Sequence, residues 1–376
     1  MNSTGKPKRS LLKRTWIRIL LIVLVLLVVG VWYISPTPRV LPVSNEPMQA
    51  IRYHEYGTAE VLRLEATKRP LPNDNQVLIK VRAASVNPLD WHYMRGTPYI
   101  IRLIESGLRT PVDPRLGTDV AGEVVAVGKN VTQFKLGDEL FGASGGAFAE
   151  YAAVSQNRAV LKPANLTFEQ AASVPVAALS ALQALRDAGQ IRAGQKVLIN
   201  GASGGVGTFA VQIAKSFGAE VTGVCSTRNL DMVRSLGADH VIDYTKEDFT
   251  QGMQKYDLIL DNVGNGSLSA YRRVMSPKGI FVGVGGGGPD AGALIGPLAG
   301  PIKGALYSPF VSQKFLSFLA TVNTRDLTIL KEMLETKKVT PVIDRAYPLS
   351  EVPAAIRYLE EGHARGKVVI SVKQDD

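Results

Sequence analysis

The sequence predicts an α/β protein with two folded domains and an N-terminal transmembrane helix. Strand and helix patterns alternate over residues 196–284, β-branched runs dominate residues 50–160, and an uncharged apolar run lies near the start. Alternating strands and helices imply right-handed crossovers and an open parallel sheet. With 376 residues, 45% hydrophobic and 20% charged, the chain can bury the cores of about two domains.

The N-terminal segment has the composition of a membrane anchor. Residues 19–34 read ILLIVLVLLVVGVWYI without a charge, and six basic residues precede them. Trp16 and Ile17 lengthen this run if Arg18 extends its guanidinium to the headgroups. A cleaved signal peptide is the alternative, but its apolar core would be shorter and no A-x-A-like site follows. We predict a basic tail over residues 1–18, a single-pass anchor over 19–34 and a linker over 35–48.

The net charge of +10 does not indicate a nucleic-acid-binding protein. Residues 1–48 carry seven basic residues and one acidic residue, so they account for +6 of that charge. A nucleic-acid footprint would lie on the folded domains, with aromatic side chains for stacking. The single cysteine, Cys225, excludes an intramolecular disulfide and a thiolate cluster for zinc.

A glycine-rich stretch, NGASGGVGTFAVQIAK over residues 200–215, joins a predicted strand at Lys196–Ile199 to a predicted helix. Ala202, Gly204 and Gly207 reproduce the G-x-G-x-x-G spacing, with alanine in the first place. Small residues there permit a tight turn, close approach of the backbone to a pyrophosphate, and close helix packing. Further predicted strands are 220–224, 240–242, 257–260 and 279–284. The sequence therefore predicts a Rossmann dinucleotide-binding domain, which we place at residues 177–321.

The end of the second strand of this domain predicts NADPH rather than NADH. An NAD site usually has an acidic residue about twenty positions after the glycines, where it binds the ribose 2′-hydroxyl. This chain has Ser226, Thr227 and Arg228 there. Hydroxyls and a guanidinium suit a 2′-phosphate. The alternative is that Arg228 is a solvated surface arginine.

The side of the membrane on which the domains lie stays open. Basic residues before an apolar helix normally remain in the cytoplasm, which would send the rest of the chain across the membrane. Reduced nicotinamide nucleotides are supplied in the cytosol, so that orientation conflicts with NADPH use. KRSLLK over Lys8–Lys13 loosely resembles a twin-arginine signal, which exports folded proteins with their cofactors.

Several motifs together resemble the medium-chain dehydrogenase/reductase superfamily, in particular its zinc-free quinone oxidoreductase branch with zeta-crystallin-like and reticulon-interacting enzymes. Besides GASGGVG, they are AASVNPLDWHYMRG (83–96), LGTDVAGEVVAVG (116–128), FKLGDELFG (134–142), AASVPVAALSALQAL (171–185), LGADHVIDY (236–244) and GHARGKVVI (362–370). The resemblance implies a GroES-like β-barrel catalytic domain over residues 49–176. It also implies a return of residues 322–376 to that domain, and a dimer.

The same resemblance bears on metal use. Zinc-dependent members carry a cysteine ligand near the position of Asn87, and a His-Glu pair where this chain has Thr118 and Asp119. No zinc site is therefore expected. Without a Lewis acid, hydride transfer favours an acceptor that is already electrophilic, such as a quinone or an α,β-unsaturated carbonyl.

By the resemblance, a loop from Asn87 to Tyr93 lines the active site. Asn87 is a candidate donor to the acceptor oxygen, and His92 or Tyr93 a candidate proton source, directly or through water. Asp90 is expected to orient the loop. The alternative for Asn87 and Asp90 is a structural hydrogen bond in a turn.

Further residues are predicted to bind the cofactor. Ser180 resembles the family position near the nicotinamide carboxamide and Tyr244 the one beside the adenosine phosphate, where Lys367 is expected to help. The complete predicted set is Ser180, Ala202, Ser203, Gly204, Gly205, Val206, Gly207, Ser226, Thr227, Arg228, Tyr244, Asn262, Val284 and Lys367.

Residues 285–310 are unusual because they contain eight glycines and four prolines and almost no charge. Glycine permissiveness favours a mobile lid over the nicotinamide. The alternative is that apolar side chains in this segment contact the bilayer and admit a lipophilic quinone.

The sequence thus predicts a membrane-anchored, zinc-independent NADPH oxidoreductase acting on quinones or enones. The alternative from another class is a non-catalytic NADPH-binding scaffold or redox sensor at the membrane, because a fold does not fix a function.

Overall fold

The computed structural model describes residues 42–285 and 307–373, together with residues 296, 300, 303 and 304. The predicted anchor over residues 19–34 lies outside the described residues, as does most of the segment 285–310. Among the residues that are described, no helix is long and apolar enough to cross a bilayer.

The strands and helices alternate as the sequence predicts. The strands are β1 Val43–Arg52, β2 Arg63–Pro70, β3 Gln76–Val86, β4 Asp119–Val127, β5 Glu139–Ala143, β6 Tyr151–Ser155, β7 Ala159–Leu161, β8 Lys196–Asn200, β9 Glu220–Cys225, β10 His240–Asp243, β11 Tyr256–Asp261, β12 Met275–Gly283, β13 Lys314–Ser317, β14 Ile343–Pro348 and β15 Lys367–Ser371. The α-helices are α1 Pro88–Arg95, α2 Tyr99–Ile101, α3 Phe168–Ala172, α4 Pro175–Gln183, α5 Gly205–Ser216, α6 Leu230–Ser235, α7 Leu268–Arg273, α8 Thr324–Glu335 and α9 Val352–Glu360. Single 3-10 or π turns are Ala59–Val61, Arg102–Ser106, Gln156–Arg158, Ala184–Ala188, Thr227–Asn229, Phe249–Gln251, Ser308–Phe310 and Leu349–Glu351.

A seven-stranded, largely antiparallel sheet forms the first domain. Its order is β14-β15-β3-β4-β5-β7, and β6 also pairs with β3. The C-terminal strand β15 lies beside β3, with Val368 opposite Val86. Buried side chains of the sheet, including Ile79 and Ile370, form a single core with Phe148 and α9. The last strand of the chain therefore completes a domain that begins more than 280 residues earlier.

Six parallel strands form the second domain, in the order β10-β9-β8-β11-β12-β13. Chain order reverses between β8 and β11, and ligands of open parallel sheets bind in the crevice at such a point. The five strands predicted from the sequence are confirmed as β8 to β12.

Helices cover both faces of this parallel sheet. Val197 and Ile199 pack into the core that contains α4 and α5, whereas Leu198 packs into a separate core with Tyr271 and Phe281. Successive strand residues point to opposite faces, so a strand such as β8, which is apolar from Val197 to Ile199, requires cover on both sides. The sheet is therefore doubly wound, as predicted.

One local prediction is wrong. The loop expected at residues 87–93 is the first part of α1, which begins after Asn87 and ends before Gly96, where φ is 59°. Pro88 occupies the first helical position, and the Asp90 carboxylate accepts a hydrogen bond from the Asn87 backbone N–H at 2.7 Å. An N-x-x-D pattern with proline after the cap is a helix-start signal that the sequence already contained.

Candidate active site

In the loop between β8 and α5, the space beside Gly204 is open, whereas Gly207 packs against the backbone. A Cβ on Gly207 would lie 2.1 Å from the Gly201 carbonyl oxygen, so the helix packs against the loop only with glycine there. On Gly204, the nearest atom to a Cβ would be that same oxygen at 3.5 Å. Helix α5 begins at Gly205 without a side-chain cap, so its first N–H groups are available to an anion.

Two buried amide oxygens beside this loop accept no hydrogen bond from the described residues. Asn229 Nδ2 donates to Ser203 Oγ at 3.0 Å and to Ser226 Oγ at 3.1 Å, and Asn262 Nδ2 donates to the Asn200 carbonyl oxygen at 3.0 Å. Both Oδ1 atoms are buried and accept no hydrogen bond within the described part of the chain. Unpaired buried acceptors are costly, so the hydroxyl and amide donors of a dinucleotide fit this cleft.

Of the residues after β9, Thr227 uses its hydroxyl donor within the protein, whereas Arg228 keeps donors for a ligand. Thr227 Oγ1 donates to Asp243 Oδ2 at 2.5 Å, and this bond is the main reason that the pKa of Asp243 falls to about 2. Arg228 is exposed, and its Nη2 donates to the His363 carbonyl oxygen at 2.6 Å. The guanidinium therefore lies between the cofactor domain and the segment before β15, with further N–H donors for a phosphate.

The other predicted cofactor residues lie on several different elements. Ala202 is buried beneath the loop, Val206 is in the first turn of α5, and Ser180 is buried on α4. Val284 follows β12, and its N–H donates to the Asp261 carbonyl oxygen at 2.9 Å. Tyr244 follows β10 and is 54% exposed.

A buried ion cluster, formed by Lys367, Asp119, Asn87 and Ser85, lies at the carboxyl end of β3. Lys367 Nζ donates to Asn87 Oδ1 at 2.6 Å and lies 3.3 Å from Asp119 Oδ2. Asp119 also accepts from Ser85 Oγ at 2.8 Å, Asn87 Nδ2 at 2.9 Å and the Val176 N–H at 2.9 Å. Lys367 is 3% exposed, Asn87 2%, and Asp119 and Ser85 are fully buried.

This cluster corrects two predictions. The sequence places Lys367 beside the cofactor phosphate, but its ammonium turns to Asn87 because a buried cation has to be paired. Only its stem borders the loop, with Cδ 3.1 Å from where a Cβ on Gly205 would lie. The sequence also makes Asn87 a donor to the acceptor oxygen, but its amide donates to Asp119 and, at 3.4 Å, to the Ser85 carbonyl oxygen. Both ends of the Asn87 amide are therefore bonded within the protein.

Known proteins with similar sequences cover almost the whole described chain. The chain is 37% identical over 354 residues to the mitochondrial NAD(P)H oxidoreductase RTN4IP1 of Mus musculus, covering 85% of this chain and 87% of that one. It belongs to the medium-chain dehydrogenase/reductase superfamily. Within that superfamily it falls in the zinc-free quinone oxidoreductase branch.

Other similarities agree with this family. Residues 73–164 match the alcohol dehydrogenase GroES-like domain, and residues 236–370 match the zinc-binding dehydrogenase family. A 2-methylene-furan-3-one reductase of Solanum lycopersicum is 38% identical over 338 residues, covering 86% of this chain and 79% of that one. The solved quinone oxidoreductase of Coxiella burnetii is 32% identical with a TM-score of 0.77, covering 87% of this chain and all of that one. The protein is thus an oxidoreductase with GroES-like and Rossmann-like sheets, and its relatives imply a nicotinamide cofactor.

The ion cluster does not fit the zinc site of zinc-dependent superfamily members. By the resemblance, those members carry a cysteine ligand near the position of Asn87 and a His-Glu pair at the positions of Thr118 and Asp119. Here Asn87 and Asp119 bond to the Lys367 ammonium, so these two side chains pair with a cation of the protein's own. Among the described residues, no group of three or more His, Cys, Asp or Glu is placed to hold a metal ion.

His92 and Tyr93 do not join the ion cluster. His92 Nδ1 lies 2.8 Å from the Thr97 carbonyl oxygen, which only accepts, so Nδ1 carries a proton. Burial lowers the His92 pKa, so at neutral pH Nε2 is an acceptor. The Tyr93 hydroxyl donates to Glu105. The Tyr93 hydroxyl therefore carries a proton, whereas His92 Nε2 carries none at neutral pH.

Asp90 is a buried carboxyl whose pKa is raised well above its ordinary value. Burial raises its pKa to about 7, against the stabilising hydrogen bonds from the backbone N–H groups of Asn87 and Gly117. The nearby Asp119 charge raises the pKa further, and the Lys367 charge lowers it. The protonation state of Asp90 therefore changes near neutral pH, beside the start of α1.

The wild-type protein is expected to lose stability relative to Asp90→Asn as pH rises from about 4 to about 7. The folded state keeps the Asp90 proton up to about pH 7, whereas an unfolded chain releases it near 3.8. The contribution is complete below pH 4 and lost above pH 7, with a slope of at most about 1.4 kcal/mol per pH unit. Urea unfolding at pH 4.5, 5.5, 6.5 and 7.5 measures it, and parallel pH profiles for the two proteins would contradict it.

Sequence reasoning missed Asp119 and Ser85 as members of the site, and Asn229 at the cofactor loop. A charged residue inside the apolar strand sequence DVAGEVVAV was the available signal for Asp119, because a buried carboxylate needs a partner. Nothing in the local sequence singles out Ser85 or Asn229, whose roles depend on neighbours 34 and 26 positions away.

Proposed function

We propose that this protein is a zinc-independent, NADPH-dependent oxidoreductase that transfers hydride to a quinone or an α,β-unsaturated carbonyl compound. The residue types at the positions of the zinc ligands carry the proposal. Asn87 and Thr118 stand where zinc-dependent relatives carry a cysteine and a histidine for the Lewis acid, and Asn87 bonds instead to the Lys367 ammonium. An acceptor reduced without such polarisation has to be electrophilic already. The names of the relatives, a quinone oxidoreductase and a furanone reductase among them, agree with this class.

In this proposal, the chain's own residues bind the cofactor and donate a proton to the reduced acceptor. Bound NADPH supplies the hydride. The N–H groups at the start of α5 hold its diphosphate, and Gly204 allows the backbone to approach it. The ion cluster fixes the start of α1, which carries His92 and Tyr93. Tyr93 donates a proton to the reduced acceptor, directly or through water, and Glu105 orients its hydroxyl.

Phenylalanine at both positions 92 and 93 is expected to lower kcat about 100-fold, the low end for loss of a general acid. Tyr93→Phe should account for most of this loss, because His92 has no proton to give from Nε2 at neutral pH. The dissociation constant for NADPH should stay within about threefold. Tyr99→Phe is the matched control, because Tyr99 is half-exposed and stacks on Arg102. An undiminished kcat in the double variant would remove both residues from the mechanism.

Arg228→Gln is expected to lower the preference for NADPH over NADH by about tenfold or more, as loss of one charge-assisted contact to a phosphate. Thr227 cannot replace it, because its hydroxyl donates to Asp243. Steady-state kcat/KM with each nucleotide measures the preference. Wild-type protein that uses NADH as well as NADPH would refute the cofactor assignment.

The decisive experiment is a screen of NADPH oxidation by the purified full chain with quinones, enones and aldehydes, with and without a chelator. We expect turnover with quinones or enones that the chelator leaves unchanged. Turnover with aldehydes that the chelator abolishes would contradict the proposal. NADPH uptake by calorimetry without turnover of any acceptor would instead favour the non-catalytic scaffold or redox sensor.

We further propose that residues 19–34 anchor the protein in a membrane as a single pass. The absence of a charge over sixteen residues and the six preceding basic residues support this. Resistance of the full chain to carbonate extraction tests it, and release into the soluble fraction would contradict it. Protease accessibility in intact cells determines the side on which the domains lie.

A homodimer is also proposed, through the outer edge of β13. Among the described strands this one ends the parallel sheet, and Phe310, Leu316 and Leu319 in and around it are exposed. An exposed strand edge flanked by apolar side chains is a template for pairing. Light scattering on detergent-solubilised protein should give the mass of a dimer, and a monomer at micromolar concentration would exclude it.

A further inference from the structure

Gly366 and Lys367 are consecutive residues that contact different parts of the site. Gly366 contacts the glycine-rich loop, and Lys367 contacts the residue before α1. The Gly366 N–H donates to the Ser203 carbonyl oxygen at 2.9 Å, and Gly366 forms a parallel bridge with Gly204 in the cofactor loop. Lys367 opens β15 in the other domain and sends its ammonium to Asn87, the residue before α1. A single peptide unit therefore connects the diphosphate loop to the helix that carries the candidate proton donors.

We propose that Lys367 is a positioning residue whose buried ammonium holds Asn87 and the start of α1 against the cofactor loop, the glycine-rich segment between β8 and α5. The inference rests on the proposed function, because NADPH is taken as the ligand of that loop.

The geometry leaves the ammonium little freedom. The Lys367 backbone N–H donates to the Val342 carbonyl oxygen at 2.8 Å. Gly366 has φ of 94°, and a Cβ there would lie 2.3 Å from that carbonyl oxygen, so only glycine allows the turn into β15. The stem then runs along Gly205, and the ammonium reaches three oxygens, those of Asn87, Asp119 and the Val86 backbone. The chain thus delivers a positive charge to one defined point.

The orientation of the Asn87 amide depends on that charge. Its Oδ1 accepts from Lys367 and its Nδ2 donates to Asp119, so cation and carboxylate together fix both ends of the amide. Without the ammonium, Asn87 Oδ1 is a buried acceptor that has lost this charged donor. The orientation of the amide is then no longer stabilised at that end. The Asn87 N–H also holds Asp90, so a displaced Asn87 disturbs the first turn of α1.

The test compares Lys367→Met with Lys162→Met in the full chain. Methionine preserves length and removes the charge and donors. Lys162 is a matched control because its side chain is 6% exposed, its Nζ donates to the Leu166 carbonyl oxygen at 2.8 Å, and it touches no member of the ion cluster. We expect Lys367→Met to lower kcat at least about tenfold, as a small misplacement of reacting groups does, with the NADPH dissociation constant within about threefold. Lys162→Met should change neither.

Two further measurements separate positioning from general stability. Hydrogen exchange of residues 87–95 should accelerate in Lys367→Met at equal distance from the unfolding transition, and should no longer slow on addition of NADPH. In Lys367→Ala, added propylammonium should restore kcat and exchange protection together, whereas a tetramethylammonium salt, which has no N–H donor, should not.

Distinct outcomes overturn the proposal. If Lys367→Met keeps its kcat, or if the dissociation constant for NADPH rises as much as kcat falls, Lys367 does not act through Asn87. If Lys367→Met fails to fold, Asn87→Ala breaks the same contact from the other side, and unchanged exchange of residues 88–95 in that variant refutes the link. If wild-type protein takes up no NADPH in calorimetry, the proposed function itself fails. Uptake with normal coupling in Lys367→Met removes only the positioning role.

Discussion

A valine at position 204 is expected to weaken NADPH binding about 100-fold, or about 2.7 kcal/mol, while the protein stays folded. Gly204 has extended backbone angles, φ −83° and ψ 179°, which valine adopts readily, and a Cβ there meets no atom closer than 3.5 Å. Its side chain would occupy the side of the loop from which the diphosphate approaches the N–H groups of α5. Calorimetric titration with NADPH measures the loss, and the melting temperature reports the fold.

Gly207→Ala is the matched variant with the opposite signature. Its Cβ would lie 2.1 Å from the Gly201 carbonyl oxygen and 2.8 Å from Ala202 backbone atoms, so β8 and α5 have to separate. We expect a loss of about 3 kcal/mol in the free energy of unfolding, the upper range for overpacking. Gly252→Val, at an exposed turn with ordinary backbone angles, should affect neither property. Equal NADPH affinity in Gly204→Val and wild type would contradict the assignment of the loop.

Asp119→Ala is expected to lower the free energy of unfolding by about 3–5 kcal/mol, the range for removing one partner of a buried ion pair. The substitution removes the acceptor of four donors, namely Ser85 Oγ, Asn87 Nδ2, the Val176 N–H and the Lys367 ammonium. The ammonium then stays buried opposite an uncharged methyl group. Urea unfolding at pH 7 measures the loss, and a change below about 1 kcal/mol would show that the pair has no structural weight.

The double variant Asp119→Ala/Lys367→Met should lose less stability than the sum of the two single losses. Removing both charges avoids leaving either one buried alone, so the coupling free energy should be about 1–3 kcal/mol. The pair Glu139 and Lys162 provides a comparison, since Glu139 is half-exposed and its coupling should be below about 1 kcal/mol. Additive losses at Asp119 and Lys367 would mean that the two residues act independently.

The parallel sheet could be predicted from the sequence because its signals are local. Lys196–Ile199 is an apolar run of strand length, the following small residues specify a turn, and Val206, Ala210 and Ile213 recur at helical spacing. The start of α1 was equally readable, since Asn87, Pro88 and Asp90 form a helix-start pattern over four positions. The resemblance to zinc-free relatives pointed to the region of Asn87, but it did not reveal the hydrogen bonds that Asn87 makes.

By itself, the sequence determined the doubly wound cofactor domain and the position of the glycine-rich loop, because their signals lie in neighbouring residues. It also determined that no cysteine or histidine stands at Asn87 or Thr118. Tertiary structure alone decided that Lys367 contacts Asn87, which lies 280 positions away in the sequence. It also decided that the Asn87 amide donates its hydrogen bond to Asp119. The physical reason is that the partner of a buried charge depends on which strands lie side by side. Here β15 returns beside β3, and that pairing of distant segments places an ammonium where the local sequence showed only an asparagine and an aspartate.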